Sequence, residues 1–359
     1  MIIGDRHLQS IWYESQQDSV NIIDQTCLPH RFEIISLHTL EDTCHAIQSM
    51  QVRGAPLIGV TAAYGIYLAL RENPNGLDEA CSLLMATRPT AVNLQWALQR
   101  CREGLQHEAG SRRASRALEL AQLLEQQDVA VCEAIGEHGA QLLVRLWQQK
   151  QDSQARLNLL THCNAGALAT VDWGTALAVV YKAAARGIPM HVWVDETRPR
   201  NQGASLTCWE LTQQGIPHTL IVDNAGGHLM QQGLVDVCVV GSDRTTINGD
   251  VCNKIGTYLK ALAAFDNEVP FYAALPLSTI DFNLADAAQI PIEQRAAEEV
   301  SFMSGVDEQG VLRRFRIAPA EVEVSNYGFD VTPARLVTGI ITERGVFAAS
   351  REALARLQD

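Results

Sequence analysis

The sequence predicts an α/β protein, with a parallel sheet in its C-terminal part and a smaller, mainly helical α+β domain before it. Three observations lead to this prediction. The chain has 359 residues, a length that suits two domains or one large α/β unit with an appended piece. Its second half alternates short apolar runs with helical patterns. Its first half consists mainly of helical patterns.

The second half has the rhythm of βαβ units. Predicted strands cover 157–162, 190–195, 218–223, 235–241 and 270–275, and predicted helices cover 174–186, 206–214 and 253–264. Strands that alternate with helices at a spacing of about thirty residues indicate a parallel sheet with crossover connections.

The first half contains one clear strand pattern at 31–37 and a series of helical patterns. The predicted helices cover 39–50, 56–70, 90–104, 115–127 and 130–149. The polar stretch Glu-Gln-Gln-Asp at 125–128 separates the last two, so we predict an N-terminal domain of residues 1–128 and a catalytic domain of residues 129–359.

The composition excludes several classes of protein. The net charge is −13, so we expect no nucleic-acid partner, although a local cationic pocket for a small anion remains compatible with it. The nine scattered cysteines form no C-x-x-C pair, which favours free thiols and a cytoplasmic location. We expect neither a signal peptide nor a membrane partner, since no stretch reaches the ~18 apolar residues of a membrane span.

Polar residues follow each predicted strand of the second half. Cys163 follows the first strand, polar loops at 195–204 and 223–228 follow the next two, and Asp243 follows the fourth. Because ligands bind beyond the carboxyl ends of parallel strands, these groups should line one crevice. Two interpretations stay open for Cys163 and two for Asp243. Cys163 is a buried small hydrophobe or a reactive thiol. Asp243 is a helix cap or partner of Arg244, or it is a proton donor whose pKa burial raises.

A second group of residues has the features of an anion site. Arg53, Gly54 and Ala55 precede a predicted helix with Pro56 in its first turn, where amide groups, the helix dipole and a guanidinium could hold phosphate. The alternative is an ordinary capped helix whose arginine faces water. Arg88 has a similar loop-to-helix context, and Asn253 and Lys254 stand at another predicted helix start.

Several cofactor templates are absent from the sequence. It contains no Walker motif, no G-x-G-x-x-G and no H-E-x-x-H, so we expect neither a nucleotide nor a dinucleotide cofactor. Asp195, Glu196 and Asp223 could hold Mg²⁺, but their spacing is not that of a dense ligand set, and we expect no metal. His162 and His228 are either general bases or plain hydrogen-bond partners.

Taken together, the motifs resemble those of the 5-methylthioribose-1-phosphate isomerases. The shared motifs appear in order between about residues 24 and 349: RGAPLIG, RPTAVNL, THCNAGALAT, VDETRPRNQGA, DNAGGHLM, GSDRTTINGDVCNKIGTYLKA, IPIEQR and FDVTPARLVTGIITERGV. That family is related to regulatory subunits of translation initiation factor 2B and to ribose-1,5-bisphosphate isomerases. The resemblance implies a Rossmann-like C-terminal domain, a homodimer, and isomerisation of an aldose 1-phosphate to a ketose 1-phosphate in methionine salvage, without a cofactor.

The resemblance also assigns residues. It implies that Cys163 of THCN and Asp243 of GSDR are the catalytic pair. The substrate contacts that it implies are Arg53, Gly54, Ala55, Arg88, Gln202, Asn253 and Lys254. The departures, NYGFDVTP at 326–333 and Cys27 in DQTCLP, lie outside the motifs that carry these site residues.

Other functions stay open at this point. A regulatory subunit would not be expected to retain Cys163, Asp243 and the Asn253–Lys254 pair together. 5-Deoxyribose 1-phosphate would suit the same chemistry, whereas ribose 1,5-bisphosphate would need a second cationic site. The methylthio and the 5-deoxy sugars need an apolar pocket for C5, for which Trp12 is a candidate; the other interpretation of Trp12 is a packing tryptophan.

Overall fold

The computed structural model describes residues 1–88, 92–150 and 156–358. Its N-terminal part combines short antiparallel strands with helices. The strands are β1 (Ile2–Ile3), β2 (Arg6–His7), β3 (Ile11–Glu14), β4 (Ser19–Ile23) and β5 (Ile34–Leu37), and the helices are α1 (Leu40–Gln48), α2 (Ala55–Glu72), α3 (Leu77–Thr87), α4 (Val92–Leu105) and α5 (Gly110–Gln148). Strands β3, β4 and β5 form one sheet. Residues 89–91 of the RPTAVNL motif lie outside the described residues.

Helix α2 is the centre of this part. Its residues from Leu57 to Leu70 are all buried, as expected of a helix that is apolar on every side. Gly54 precedes it with a φ of 86°, and no side chain among the described residues caps its first turn. The helix therefore begins with free amide groups, and its first turn lines the pocket described below.

Helix α5 corrects one prediction. The two helices expected at 115–127 and 130–149 are one continuous helix of 39 residues, and the polar stretch 125–128 lies inside it. Its first half packs in the N-terminal core through Leu124 and Val129, and its second half packs in the C-terminal core through Val131 and Ile135. The division at residue 128 stays a prediction, which this change of packing partners supports.

The C-terminal part is built on a seven-stranded sheet. In chain order its strands are β6 (Leu157–Thr161), β7 (Met190–Asp195), β8 (His218–Ile221), β9 (Val237–Val240), β12 (Phe271–Ala274), β17 (Gly339–Thr342) and β18 (Gly345–Phe347). Their order in space is β8-β7-β6-β9-β12-β17-β18, and all pairs are parallel except β17 with β18. The six parallel strands thus have the 3-2-1-4-5-6 order of the Rossmann fold, with its switch point between β6 and β9.

Helices flank this sheet, and a smaller sheet lies beside it. The helices are α6 (Ala176–Ala185), α7 (Cys208–Gln213), α8 (Ala225–Gln231), α9 (Thr257–Asp266), α10 (Glu298–Ser301) and α11 (Arg351–Ala355), and Gly203–Thr207 is a π-helical turn before α7. The smaller sheet consists of β10 (Arg244–Thr246), β11 (Val251–Lys254), β13 (Ile280–Asp281) and β16 (Phe329–Thr332), and β14 (Phe302–Val306) with β15 (Leu312–Arg316) forms a hairpin. Short 3₁₀ turns occupy Ala167–Ala169, Leu277–Thr279, Ala287–Gln289 and Ala334–Leu336.

The smaller sheet corrects a second prediction. Asn253 and Lys254 do not begin a helix; they end strand β11, whose partner is β16, and α9 begins only at Thr257.

The cysteines are free thiols, as predicted, and Cys238 is fully buried in the core. Among the described helices, none combines the length and the apolar character that crossing a membrane requires.

Candidate active site

A pocket opens at the switch point of the sheet, between the ends of β6 and β9 and the first turn of α2. Residues from both halves of the chain line it. All nine predicted site residues do so: Arg53, Gly54, Ala55, Arg88, Cys163, Gln202, Asp243, Asn253 and Lys254. The structure thus brings together groups that are separated by up to about two hundred residues in the sequence.

Cys163 lies two residues beyond the end of β6. Its backbone has a φ of 67°, a left-handed conformation that is uncommon for residues other than glycine. Its amide donates to Thr197 Oγ1 at 2.8 Å, and its thiol donates to Gln202 Oε1 at 3.4 Å. Burial raises the pKa of this thiol, while the charges of Lys254 and Arg53 oppose that rise. The thiol is therefore held in a fixed direction and biased toward its neutral form.

Asp243 lies three residues beyond the end of β9. Its amide donates to Cys252 O at 2.9 Å, which fixes the backbone against β11. Burial raises the pKa of its carboxyl, with Lys254 and Arg88 opposing. The alternative interpretations of Asp243 are wrong, because a strand rather than a helix follows it and Arg244 instead pairs with Asp281.

Arg53 is buried rather than exposed to water, so the alternative of an arginine facing solvent is wrong. Its Nη1 donates to Asn164 O at 3.1 Å, and its Nη2 donates to Asn164 Oδ1. Its Nε, which is also buried, has no partner among the described residues. A buried, unpaired donor in a pocket is a group available to a ligand.

Gly54 is required where it stands. A Cβ built there would lie 2.3 Å from Ala169 O, in addition to the strain of its positive φ. This contact seats the first turn of α2 against the loop that follows Cys163. Free amide groups and the positive end of the helix dipole consequently face the pocket.

Lys254 and Asn253 line the pocket from the end of β11. Lys254 Nζ lies 4.8 Å from the centre of the Phe329 ring, a cation–π contact. Asn253 Nδ2 donates to Thr257 Oγ1 at 3.0 Å. The sheet pairing with β16 sets the direction of both side chains.

Arg295 is a pocket residue that the sequence reasoning missed. Its guanidinium pairs with Glu293 at 2.9 Å and with Glu299 at 2.7 Å. Arg88 pairs with the same Glu293 at 3.2 Å. The motif IPIEQR contains Arg295, but nothing local to the motif indicates that it reaches a pocket formed by distant segments.

Glu210 was also missed. Its buried carboxylate accepts hydrogen bonds from Asn164 Nδ2 at 2.8 Å, Ala167 N at 2.7 Å and the Tyr181 hydroxyl at 2.8 Å. It thereby fixes the loop between Cys163 and α6. No pattern in the sequence distinguishes this glutamate from others on helices.

The remaining candidates have different positions. His162 lines the pocket, whereas His228 is exposed and outside it. Trp12 packs beside Leu28 and Leu206 instead of lining this pocket.

The acidic residues considered for Mg²⁺ have an internal cation beside them. His162, Asp195 and Asp223 offer ligand atoms within 4.8 Å of one another, without Glu196. Lys260 Nζ lies 3.2 Å from Asp195 Oδ2. An ammonium group thus already balances negative charge where an ion would bind.

Comparison with known proteins identifies relatives of this chain. A model described as the initiation factor 2 subunit family matches residues 51–349. The methylthioribose-1-phosphate isomerase of Methylorubrum populi is 57% identical over 99% of this chain and 98% of that protein. The solved structure of 5-methylthioribose 1-phosphate isomerase from Pyrococcus horikoshii OT3 is 38% identical with a TM-score of 0.84, over 98% of this chain and 96% of that one.

A second solved structure bears a different name. Subunit delta of the translation initiation factor eIF-2B from A. fulgidus is 40% identical with a TM-score of 0.79, over 95% of this chain and 96% of that one. The M. populi isomerase is more similar to this chain in sequence than the A. fulgidus subunit is. The P. horikoshii isomerase structure also has a higher TM-score than the A. fulgidus structure. The chain therefore belongs to the initiation factor 2 subunit family and, within it, to the methylthioribose-1-phosphate isomerases.

Proposed function

We propose that this chain is an aldose–ketose isomerase that converts 5-methylthio-α-D-ribose 1-phosphate into 5-methylthio-D-ribulose 1-phosphate, a step of methionine salvage. One observation carries the proposal. A thiol and a carboxyl, Cys163 and Asp243, follow the two strands at the switch point and share a pocket with Arg53, Lys254 and the free first turn of α2. This arrangement supports proton transfer beside a bound anion.

The chemistry needs both groups. The substrate carries phosphate on its anomeric oxygen, so its ring cannot open to a free aldehyde without loss of the phosphate. The ring oxygen must instead accept a proton while its bond to C1 breaks, and a hydrogen must move from C2 to C1. Because burial raises the pKa of Asp243, this carboxyl keeps a proton to higher pH than an ordinary aspartate and can donate it.

Cys163 is the group for the C1–C2 side of the reaction. The hydrogen can move as a proton through a cis-phosphoenolate, in which case the thiol and thiolate forms of Cys163 carry it. It can also move as a hydride from C2 to the cationic C1 that ring opening leaves. The C2 hydroxyl then gives its proton to the Asp243 carboxylate, which has just protonated the ring oxygen, while the surrounding pocket excludes water. Both routes leave the phosphate on C1 and balance without an external oxidant or reductant.

The phosphate has a local anchor in a chain of net charge −13. Arg53 Nε, the ammonium group of Lys254 and the amide groups at the start of α2 supply donors and positive charge around the pocket. Such a local concentration of cationic groups can hold an anion even when the protein as a whole is acidic.

A second pocket adjoins the first and suits an apolar C5 substituent. It shares Met50, Arg53 and Gln202 with the first pocket. Its other apolar lining residues are Leu28, Pro199, Leu206, Phe302, Met303 and Leu312, and they stand among polar and charged residues that include His30, Arg200, Glu298, Glu299 and Arg314. The apolar part of this lining supports the methylthio or deoxy sugar, and it takes the role that Trp12 was a candidate for.

The same pocket disfavours a second phosphate. Its Arg200 pairs with Glu299 at 2.9 Å, and its Arg314 stacks 4.2 Å from the centre of the Phe302 ring. Both arginines are thus already engaged, and Glu299 adds negative charge. We therefore rank ribose 1,5-bisphosphate last among the three sugars.

A steady-state comparison tests the proposal. The purified chain is assayed with 5-methylthioribose 1-phosphate, 5-deoxyribose 1-phosphate and ribose 1,5-bisphosphate, and the products are identified by NMR. We expect the highest kcat/KM with the methylthio sugar and the lowest with the bisphosphate. Absence of turnover with all three would instead favour a regulatory subunit.

The proposed reaction needs neither a metal nor a nicotinamide. We therefore expect full activity after treatment with EDTA and exhaustive dialysis. The measurement is kcat before and after dialysis, with readdition of Mg²⁺, Zn²⁺ or NAD to the dialysed enzyme. A loss that one of these additions reverses would contradict the proposal.

We also propose a cytoplasmic homodimer. Nine unpaired cysteines support a reducing compartment. Exposed apolar side chains support self-association through the edge strand β8 and the segments after it: Leu220, Val222, Leu234, Leu259 and Phe265. Sedimentation equilibrium should give twice the chain mass, and Leu220→Glu should shift it toward the monomer.

A further inference from the structure

We propose that His162 is a positioning residue that couples the segment of Cys163 to the segment of Asn253 and Lys254. The inference rests on the proposed function, because those segments carry its catalytic and anchoring groups. His162 directly precedes Cys163 in the chain, and its side chain reaches the loop that directly follows Lys254. One imidazole ring therefore spans the two sides of the pocket.

Both ring nitrogens are engaged by protein oxygens. Nε2 lies 2.8 Å from Ile255 O, which can only accept a hydrogen bond, so Nε2 donates. Nδ1 lies 2.8 Å from Asp195 Oδ2 at the end of β7. The ring thus connects β6, β7 and the end of β11. With both nitrogens occupied, it acts on the substrate through its neighbours rather than as a general base.

The partners of the ring are themselves fixed. A Cβ on Gly256 would lie 2.9 Å from the Cε1 atom of His162, so the loop after Lys254 packs directly on the ring. The Gly256 amide donates to Asp330 Oδ2 at 2.7 Å. On the other side, Lys260 Nζ lies 3.2 Å from Asp195 Oδ2. The ring itself is 1% exposed. A displacement of the ring must therefore move the loop, Asp195 or Cys163.

Two substitutions separate the two hydrogen bonds. The amide of an asparagine lies close to the position of Nδ1, whereas the amide of a glutamine reaches the position of Nε2. His162→Asn should keep the bond to Asp195 and lose the bond to Ile255. His162→Gln should keep the bond to Ile255, and with it the coupling to Lys254.

We expect His162→Asn to lower kcat/KM by ~100-fold, the effect of a displacement of about 1 Å at a reacting centre, and His162→Gln to stay within ~10-fold of the wild type. Thermal melting of both variants controls for folding, and we expect His162→Asn and His162→Gln to have the same Tm. Equal losses in the two variants, or a His162→Asn variant as active as the wild type, would overturn the proposal.

Alkylation of Cys163 by iodoacetamide, followed by peptide mapping across pH, gives a readout that does not depend on turnover. The charged groups that face this thiol are Lys254, Arg53 and Asp243. If His162 holds Lys254 in place, the pH midpoint of alkylation should rise in His162→Asn and in the control Lys254→Ala, and should not move in His162→Gln. An unchanged midpoint in His162→Asn would overturn the coupling. A wild type without isomerase activity would refute the proposed function alone, since the midpoints can still be compared.

Discussion

The two walls of the pocket differ in what they offer a substrate. The wall formed by the strand ends of the C-terminal sheet carries Cys163 and Asp243. Burial raises the pKa of both side chains and so favours their neutral, protonated forms. The wall formed by the N-terminal part carries Arg53 and the free amides of α2, which are fixed donors. The difference indicates a division between proton transfer on one wall and anion anchoring on the other. Substitutions on the first wall should act on kcat, and those on the second on kcat/KM.

The largest effects should come from the strand-end wall. Cys163→Ser and Asp243→Asn each remove a proton-transfer group while preserving size, and we expect kcat to fall by ~10²–10⁴-fold. Circular dichroism and thermal melting should show an unchanged fold. A variant of either kind with near-normal kcat would contradict the assignment of that residue.

A smaller effect is expected at the helix start. Gly54→Ala places a Cβ against Ala169 O and should displace the first turn of α2, lowering kcat/KM by up to ~100-fold. Gly187→Ala is the matched control, because Gly187 has a similar φ of 78° but no atom of the residues that the structure describes lies within 4 Å of its Cβ position. Steady-state kinetics of both variants separates close contact from backbone strain. Equal kinetics in the two would show that the contact with Ala169 is unimportant.

Substitution of the cationic residues of the pocket should have the next largest effect on kcat/KM. Loss of a charged hydrogen bond costs ~1.5–3 kcal/mol, so Arg53→Ala, Lys254→Ala and Arg88→Ala should each lower kcat/KM by about one to two decades. Arg113 is the control, since it donates to the backbone oxygens of Glu108 and Pro74, away from the pocket. All four variants are measured against one sugar phosphate at one ionic strength. Arg113→Ala should be silent, and a loss there as large as that of Arg53→Ala would refute the assignment of these cations to the phosphate.

The last prediction concerns stability rather than catalysis, at the place where the two halves of the chain meet. Asp128 on α5 accepts a hydrogen bond from Val171 N at 2.7 Å, and burial raises its pKa from 3.8 to about 7. The folded chain therefore holds this proton more tightly than the unfolded chain. The resulting stabilisation is complete below about pH 4 and is lost as the pH rises through 7.

Asp128→Asn should remove that part of the pH dependence. The measurement is Tm between pH 4 and 8 for the wild type, Asp128→Asn and the exposed control Asp266→Asn. The difference in Tm between Asp128→Asn and the wild type should change with pH, whereas that of the control should not. A constant difference for Asp128→Asn would contradict the raised pKa.

The sequence is informative where structure follows from local pattern. Buried parallel strands read as short apolar runs, so the ends of β6 and β9, and with them Cys163 and Asp243, could be predicted. Gly54 and Pro56 mark the start of α2 in the same way. All nine site residues line one pocket because strand ends and a helix start are local features that the fold brings together.

What could not be predicted depends on pairing between distant segments. Strand β11 carries Asn253 and Lys254, but it is a strand because β16 pairs with it some eighty residues later, and the Asn-Lys-Ile-Gly sequence alone resembles a helix start. The roles of Arg295, Glu210 and His162 follow from partners that no local spacing reveals. The polar stretch 125–128 suggested a break between two helices. The helix is continuous there because the residues up to Val129 pack in one core and those from Val131 onward pack in the other.

Helix α5 couples the stability of the two halves of the chain, because it packs in both cores. Its 39 residues extend over about 58 Å, and a helix of this kind depends on tertiary packing for its order. Its N-terminal half is held by one core and its C-terminal half by the other. Unfolding of either core would remove the packing contacts of half of this helix. Because the helix is continuous, the other core would then be destabilised as well. The chain should for this reason behave as one cooperative unit, and severing it at residue 128 would leave two fragments, each with an uncovered helix end.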